Sequence, residues 1–131
     1  MSATTRPPMA FQYVVLRCVP RVDREEFLNV GVVLQCQDAD FLACASHVDD
    51  DRLRALAPQV DAGGVRSALA AAAAVCRGDA DAGAAGQAPP GTRFGFLSAP
   101  RSTVVQPGPI HGGLTTDPAA ELEHLLEALV R

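Results

Sequence analysis

Two short apolar segments near the start of the chain, Phe11 to Cys18 and Phe27 to Cys36, limit the folds available to it. Both are rich in Val and Leu, both are too short for ordinary helices, and the polar segment from Pro20 to Glu26 separates them. We therefore predict two antiparallel strands. A turn at residues 37–40 and a third apolar segment, Phe41 to Ala45, extend the pair into a meander.

The two-residue period of the second strand divides its side chains between two faces. One face is wholly apolar and consists of Leu28, Val30, Val32, Leu34 and Cys36. The other face is mixed and consists of Phe27, Asn29, Gly31, Val33 and Gln35. We expect the apolar face to form the core against the terminal helix and the mixed face to serve in interactions.

Aspartates precede three segments with helical character, as expected for side chains that cap helix N-termini. Asp49 or Asp50 begins a short helix that Pro58 ends, and capping explains the acidic run there better than a cation site does. Asp61 begins a longer helix that ends before Gly78. The last helix begins at Asp117 and Pro118, and its apolar stripe consists of Leu122, Leu125, Leu126, Leu129 and Val130.

These elements predict an α+β fold in which a small antiparallel meander of three to four strands is covered by two to three α-helices. The 131 residues fit one domain. Residues 1–9 are expected to form a disordered tail. Residues 78–92, which contain almost no large apolar side chain, are expected to form a mobile loop. A short strand is expected around Thr103 to Gln106.

Net charge, the N-terminal segment and the spacing of the cysteines argue against several classes of function. The formal net charge of −4 opposes binding to a phosphate backbone, so no nucleic-acid partner is expected. The N-terminus carries neither a signal peptide nor a membrane anchor, which predicts a cytoplasmic protein with no membrane partner. The four cysteines lack the spacing of zinc sites, so we expect buried free thiols, no metal and no cofactor.

The first group of candidate binding residues consists of Arg17, Arg24, Glu26 and Asn29, where the first two strands meet their connection. If Arg17 lies opposite Asn29, both point to one face of the sheet. An arginine fork beside an amide and a carboxylate can bind a small anion or a partner's carboxylate. The alternative is structural: an Arg–Glu pair, with Asn29 bonded to a neighbouring loop.

The second group lies in a loop rich in Gly and Pro and consists of Arg101, Ser102 and His111. These residues contain a nucleophile, a base and an anion-binding group. No nucleophile-elbow pattern surrounds Ser102. Catalysis, binding and loop structure therefore all remain open for this group.

The residues Tyr13 to Arg17, Pro20, and Arg24 to Leu34 resemble the signature of the bacterial domain of unknown function 3037 family. In that signature an apolar strand, Arg and Pro precede Arg-Gly-Glu-Phe and Asn-Val-Gly-Val; here Glu25 stands where the pattern has Gly. The second half is similar at Pro100, Arg101, Ser102, Gln106, His111, Gly113 and Asp117. The resemblance implies no established activity. It does imply a genomic neighbour. Proteins of this family are often encoded beside a protein that resembles the serine/threonine toxin kinases of bacterial persistence modules.

Two functional interpretations follow. The first is a non-catalytic interaction or accessory module whose expected partner resembles a toxin-type serine/threonine kinase. The second is a small hydrolase or phosphate-handling enzyme. It requires the side chains of Arg17, Glu26, Arg101, Ser102 and His111 to converge, with Ser102 and His111 within hydrogen-bonding reach.

Overall fold

The structure is a computed structural model that describes residues 7–131. It confirms the α+β fold class: the chain forms a five-stranded antiparallel sheet and five α-helices. The strands are β1 (Met9–Cys18), β2 (Leu28–Cys36), β3 (Phe41–Ser46), β4 (Val105–Pro107) and β5 (His111–Thr115). The helices are α1 (Asp50–Leu56), α2 (Ala62–Arg77), α3 (Gly83–Gly86), α4 (Pro90–Ser98) and α5 (Pro118–Leu129).

The sheet is built around β1. β2 pairs with one side of β1, and β3 continues the meander beyond β2, as predicted. On the other side of β1, β4 pairs with its end and β5 pairs with its beginning. Residues 1–6 of the predicted tail lie outside the described residues, whereas Met9 already pairs with Thr115.

The helix boundaries follow the predicted caps. The carboxylate of Asp49 accepts hydrogen bonds from the backbone N–H groups of Asp51 and Arg52. Asp61 caps α2 in the same way, and Asp117 caps α5 with Pro118 at its first position. Gly78 ends α2 with a φ of 71°. The acidic run before α1 is therefore a helix cap, as expected.

Both faces of the sheet are covered by a core, whereas the sequence predicted a core on one face only. The α5-side core consists of Phe11, Val32, Leu34, Cys36, Leu122, Leu125, Leu126 and Val130. The α2-side core consists of Val14, Leu16, Cys18, Val30, Val33, Leu53, Val65, Leu69, Val75, Cys76, Phe94, Leu97 and Val105. Gly31 belongs to the covered side, because a Cβ there would lie 3.3 Å from Leu69.

A β-bulge in β2 explains why the residues of the predicted apolar face divide between the two sides of the sheet. Leu16 pairs with Gly31 but Arg17 pairs with Asn29, so Val30 is an extra residue. Such a residue reverses the side-chain alternation beyond it. Val30 therefore packs in the α2-side core, and Leu28 packs against that core as well, whereas Val32 and the later even positions face α5 as predicted.

The segment 78–92 differs from the predicted loop. It forms a 3₁₀ turn at Ala80–Ala82, then α3, and then the first residues of α4. Ala82 and Ala85 pack against the α2-side core. Small side chains let the backbone approach closely, so the segment needs no large apolar residue to pack. Its mobility stays a prediction.

The connection between β1 and β2 accommodates the departure from the family signature. A 3₁₀ turn at Val22–Arg24 ends at Glu25, which has a φ of 55° and a ψ of 25°. This left-handed conformation is the one that Gly adopts most easily. The chain thus keeps a glycine-type turn with a Glu in it.

Candidate functional site

Arg17 and Asn29 lie opposite each other on β1 and β2, as predicted. The side-chain amide of Asn29 donates a hydrogen bond to the carbonyl oxygen of Leu129 at the end of α5, over 3.0 Å. This bond gives Asn29 a structural role, as in the alternative from the sequence, but its acceptor lies in the last turn of α5 and not in a loop. It also places the Arg17–Asn29 pair on the α5 side of the sheet, since opposite residues share a face.

The guanidinium of Arg17 lies between an aromatic ring and a glycine. Its Cζ is 4.0 Å from the ring centroid of Phe27, a cation–π distance. A Cβ at Gly108 would overlap Nη2 of Arg17 and lie 3.1 Å from its Cζ. Gln106 is the partner of Arg17 on β4. A row of Asn29, Arg17 and Gln106 therefore crosses three strands.

Arg24 and Glu26 form an ion pair with each other, the second structural alternative from the sequence. The hydrogen bond from Arg24 lowers the pKa of the Glu26 carboxyl, and both side chains are about half exposed. The pair borders a cleft of about 550 Å³ whose other walls include Pro20, Val60 and Val104. Arg21 and Asp61 also line the cleft, so its walls are both apolar and charged.

Arg101 lies away from the first group. Its guanidinium donates hydrogen bonds to the carbonyl oxygens of Phe96 and Ala99 and lies 5.0 Å from the ring centroid of Phe96. It thereby caps the end of α4. Arg101 also lines a cavity with Leu16 and Val75, members of the α2-side core. The structure therefore separates Arg101 from Arg17 by the thickness of the sheet.

Ser102 and His111 also occupy different settings. Ser102 is exposed in the link between α4 and β4, and His111 is exposed on β5. The His111 ring stacks on Tyr13, with 5.2 Å between the ring centroids. Within residues 7–131 no hydrogen bond joins Ser102 to His111. The arrangement thus lacks the contact that the hydrolase interpretation requires.

The sequence analysis missed the exposed apolar residues next to His111. Leu114 on β5 is 69% exposed and Ile110, just before the strand, is 51% exposed. The signal in the sequence is weak: the segment HGGLT has no Asp, Glu, Lys or Arg, but its two glycines do not favour a strand.

All four cysteines are free; Cys44 is half-buried and the other three are buried. Burial raises the pKa of Cys44 to about 11 and that of Cys76 to about 12. Neither thiol is therefore a nucleophile at neutral pH. In residues 7–131, no three His, Cys, Asp or Glu side chains are grouped as metal ligands, and no helix is long and apolar enough to cross a membrane.

The raised thiol pKa values predict destabilisation at alkaline pH. The unfolded chain ionises its thiols near pH 9, whereas folded Cys44 and Cys76 stay neutral up to about 11 and 12. Below pH 9 the free energy of unfolding should not depend on these groups, and from pH 9 to 11 it should fall by up to about 1.4 kcal/mol per pH unit for each thiol. Burial also raises the pKa of the Cys18 thiol, which adds to the effect in the same direction, and the chain contains no lysine.

Urea unfolding between pH 7.5 and 11 measures this effect. The control is the double variant Cys44→Ala/Cys76→Ala, in which the stability should depend less on pH above 9. If the wild type and the double variant lose stability with the same slope, the assignment to these thiols is wrong.

The chain is similar to a known family of proteins. The family model described as "Protein of unknown function (DUF3037)" matches residues 13–130, nearly the whole chain. No curated protein and no solved structure matches this chain. The match includes both stretches that hold the candidate residues.

Proposed function

From the premise that this chain belongs to the DUF3037 family of proteins of unknown function, we propose that it is a non-catalytic interaction module that binds an extended segment of a partner protein along β5. The partner in this proposal is a protein resembling a toxin-type serine/threonine kinase, encoded nearby and present with it in the bacterial cytoplasm. The kinase-like partner comes from the family resemblance described above. The binding mode comes from the geometry of β5.

The observation that carries the proposal is the open outer edge of β5. One side of β5 pairs with β1, and in residues 7–131 no strand pairs with the other side. In an antiparallel strand, alternate residues direct their N–H and C=O groups away from the paired neighbour. These groups fit the backbone of one added strand.

Edge strands are normally protected by charged residues, by proline or by a covering element. At the opposite edge of the sheet, α2 and α5 pack on the two faces of β3, and residues 41–45 are only partly exposed. β5 lacks such cover, because His111 to Leu114 are all exposed, and the strand has no charged residue or proline. Pro107 and Pro109 lie before it. An unprotected edge of this kind favours recognition of a strand.

The side chains along this edge indicate what the partner segment should look like. Gly112 and Gly113 carry no side chains that would obstruct another backbone. Leu114 and Ile110 provide exposed apolar surface on either side of them. We therefore expect an extended, uncharged segment with at least one apolar side chain that contacts Leu114.

The test measures the affinity for the purified kinase-like protein and the hydrogen exchange of the backbone amides with and without it. The wild type should bind it, and the amides of residues 111–115 should become protected. Leu114→Lys should weaken binding at least tenfold, about 1.4 kcal/mol, because a charge on an edge strand opposes strand addition. Val22→Lys, at another exposed apolar position, should bind as the wild type does.

Three results would overturn the proposal. The first is equal binding by Leu114→Lys and the wild type. The second is protection confined to another part of the chain. The third is self-association in sedimentation experiments that Leu114→Lys abolishes, with no binding to the kinase-like protein; the edge would then bind a second copy.

A further inference from the structure

One arginine of this chain differs from the others in its surroundings. The sequence has eleven arginines and no lysine, and ten remain when Arg6, outside the described residues, is set aside. Nine of these ten form an ion pair or donate a hydrogen bond to a carbonyl oxygen: Arg21, Arg24, Arg52, Arg54, Arg66, Arg77, Arg93, Arg101 and Arg131. The tenth, Arg17, has no such partner in residues 7–131.

Arg17 is also one of two arginines whose Nε is buried without a hydrogen-bond partner. The other, Arg93, is explained by its neighbours, since its Nη1 donates to the carbonyl oxygens of Val75 and Cys76. Arg17 makes no comparable bond. A partly buried charge normally has a partner, because removing it from water costs several kcal/mol.

The neighbours of Arg17 hold it in place without neutralising it. The Phe27 ring covers one region of the guanidinium, and Gly108 leaves room for it. Asn29 and Gln106 flank it but use their side-chain N–H groups for the carbonyl oxygens of Leu129 and Thr103. No carboxylate of residues 7–131 forms an ion pair with Arg17.

From this arrangement we propose that Arg17 is the centre of a carboxylate-binding site, separate from the β5 edge. The terminal nitrogens of a guanidinium form a planar fork that matches the two oxygens of a carboxylate. A single uncompensated positive charge is balanced by a single carboxylate charge. The partial burial against Phe27 strengthens the ion pair, because less water screens it. The carboxylate belongs either to a small organic acid or to an acidic side chain.

The Nε–H of Arg17 provides a direct probe of this site. Because Nε is buried, its proton is shielded from solvent exchange and suited to observation by NMR. Sodium acetate, added to the full chain at constant ionic strength with sodium chloride as reference, should shift this resonance saturably. One fork on one carboxylate should give a Kd on the order of 1–10 mM.

Variants separate a site from general charge effects. Arg17→Lys keeps the charge but loses the fork, so the acetate-dependent shifts of neighbouring backbone amides should disappear. Arg54→Lys, at an exposed ion pair, is the matched control and should titrate as the wild type does. Leu114→Lys should also titrate normally, so a failure at the β5 edge can be distinguished from a failure here.

Two outcomes would overturn the proposal. If acetate shifts the Arg17 resonance no more than chloride does, the site does not bind a carboxylate. If inorganic phosphate binds at least tenfold more tightly than acetate, the site is a phosphate site. Should acetate bind, a short acidic peptide and a free dicarboxylate, compared at equal carboxylate concentration, indicate which source binds more tightly.

Discussion

Val32→Asp is expected to unfold the protein. The side chain is fully buried in the α5-side core, where it packs with residues of the terminal helix. An unpaired carboxylate there would cost about 3–5 kcal/mol or more, a large part of a total stability of about 5–15 kcal/mol. Circular dichroism during thermal and urea unfolding measures the loss.

The matched control is Val22→Asp. Val22 lies in the turn between β1 and β2 and is 58% exposed. The same chemical change there should alter the free energy of unfolding by no more than about 0.5 kcal/mol. A Val32→Asp variant that melts with the wild type would show that β2 does not face α5 as described.

Arg93→Met should cause the second largest loss, about 2–4 kcal/mol. Nη1 of Arg93 on α4 donates to the carbonyl oxygens of Val75 and Cys76 at 3.1 and 2.7 Å, and these carbonyls belong to the last turn of α2. The Val75 carbonyl also accepts from the backbone N–H of Gly78, so Arg93 is its second donor. Hydrogen bonds from a charged donor contribute about 1.5–3 kcal/mol each. Methionine keeps much of the aliphatic packing and removes the donors together with the positive charge.

Arg77→Met is the comparison for Arg93→Met. Arg77 ends the same helix, but its ion pair with Asp79 is at the surface, with side-chain exposures of 61% and 36%. Such pairs contribute at most about 1 kcal/mol. Urea unfolding of both variants measures the difference. Equal losses would contradict a special role for Arg93 in joining α4 to α2.

The parts of the fold that the sequence predicted correctly depend on local signals. Asp49, Asp61 and Asp117 cap helices because the cap is a contact between near neighbours in the chain. The opposition of Arg17 and Asn29 followed from a short connection between two strands. The fold class needed no more than these elements in this order.

The errors arose where long-range contacts decide the structure. The bulge at Val30 is not visible in the alternation of β2, yet it moves Leu28 and Val30 to the other face. The segment 78–92 has no apolar stripe, because Ala82 and Ala85 pack through small side chains. Helical packing by such residues depends on how closely the neighbouring backbone approaches, which composition does not reveal.

The candidate residues also divide into those whose contacts are local in sequence and those whose contacts depend on the fold. Arg24 and Glu26 are two positions apart, so their ion pair could be expected from spacing. The enzyme interpretation requires Arg101 to converge with Arg17, and the fold separates the two residues. The isolation of Arg17 became visible only when the partners of the other arginines were known.

The position of β1 at the centre of the sheet has a consequence for synthesis of the chain. Met9 pairs with Thr115, 106 positions later by number, whereas β2 follows β1 directly. A nascent chain can form the β1–β2 hairpin early, but one side of β1 stays bare until residues 105–115 leave the ribosome. Contacts between such distant residues form slowly, and strand edges exposed meanwhile invite aggregation. For most of its translation this chain therefore presents a central strand as an edge strand.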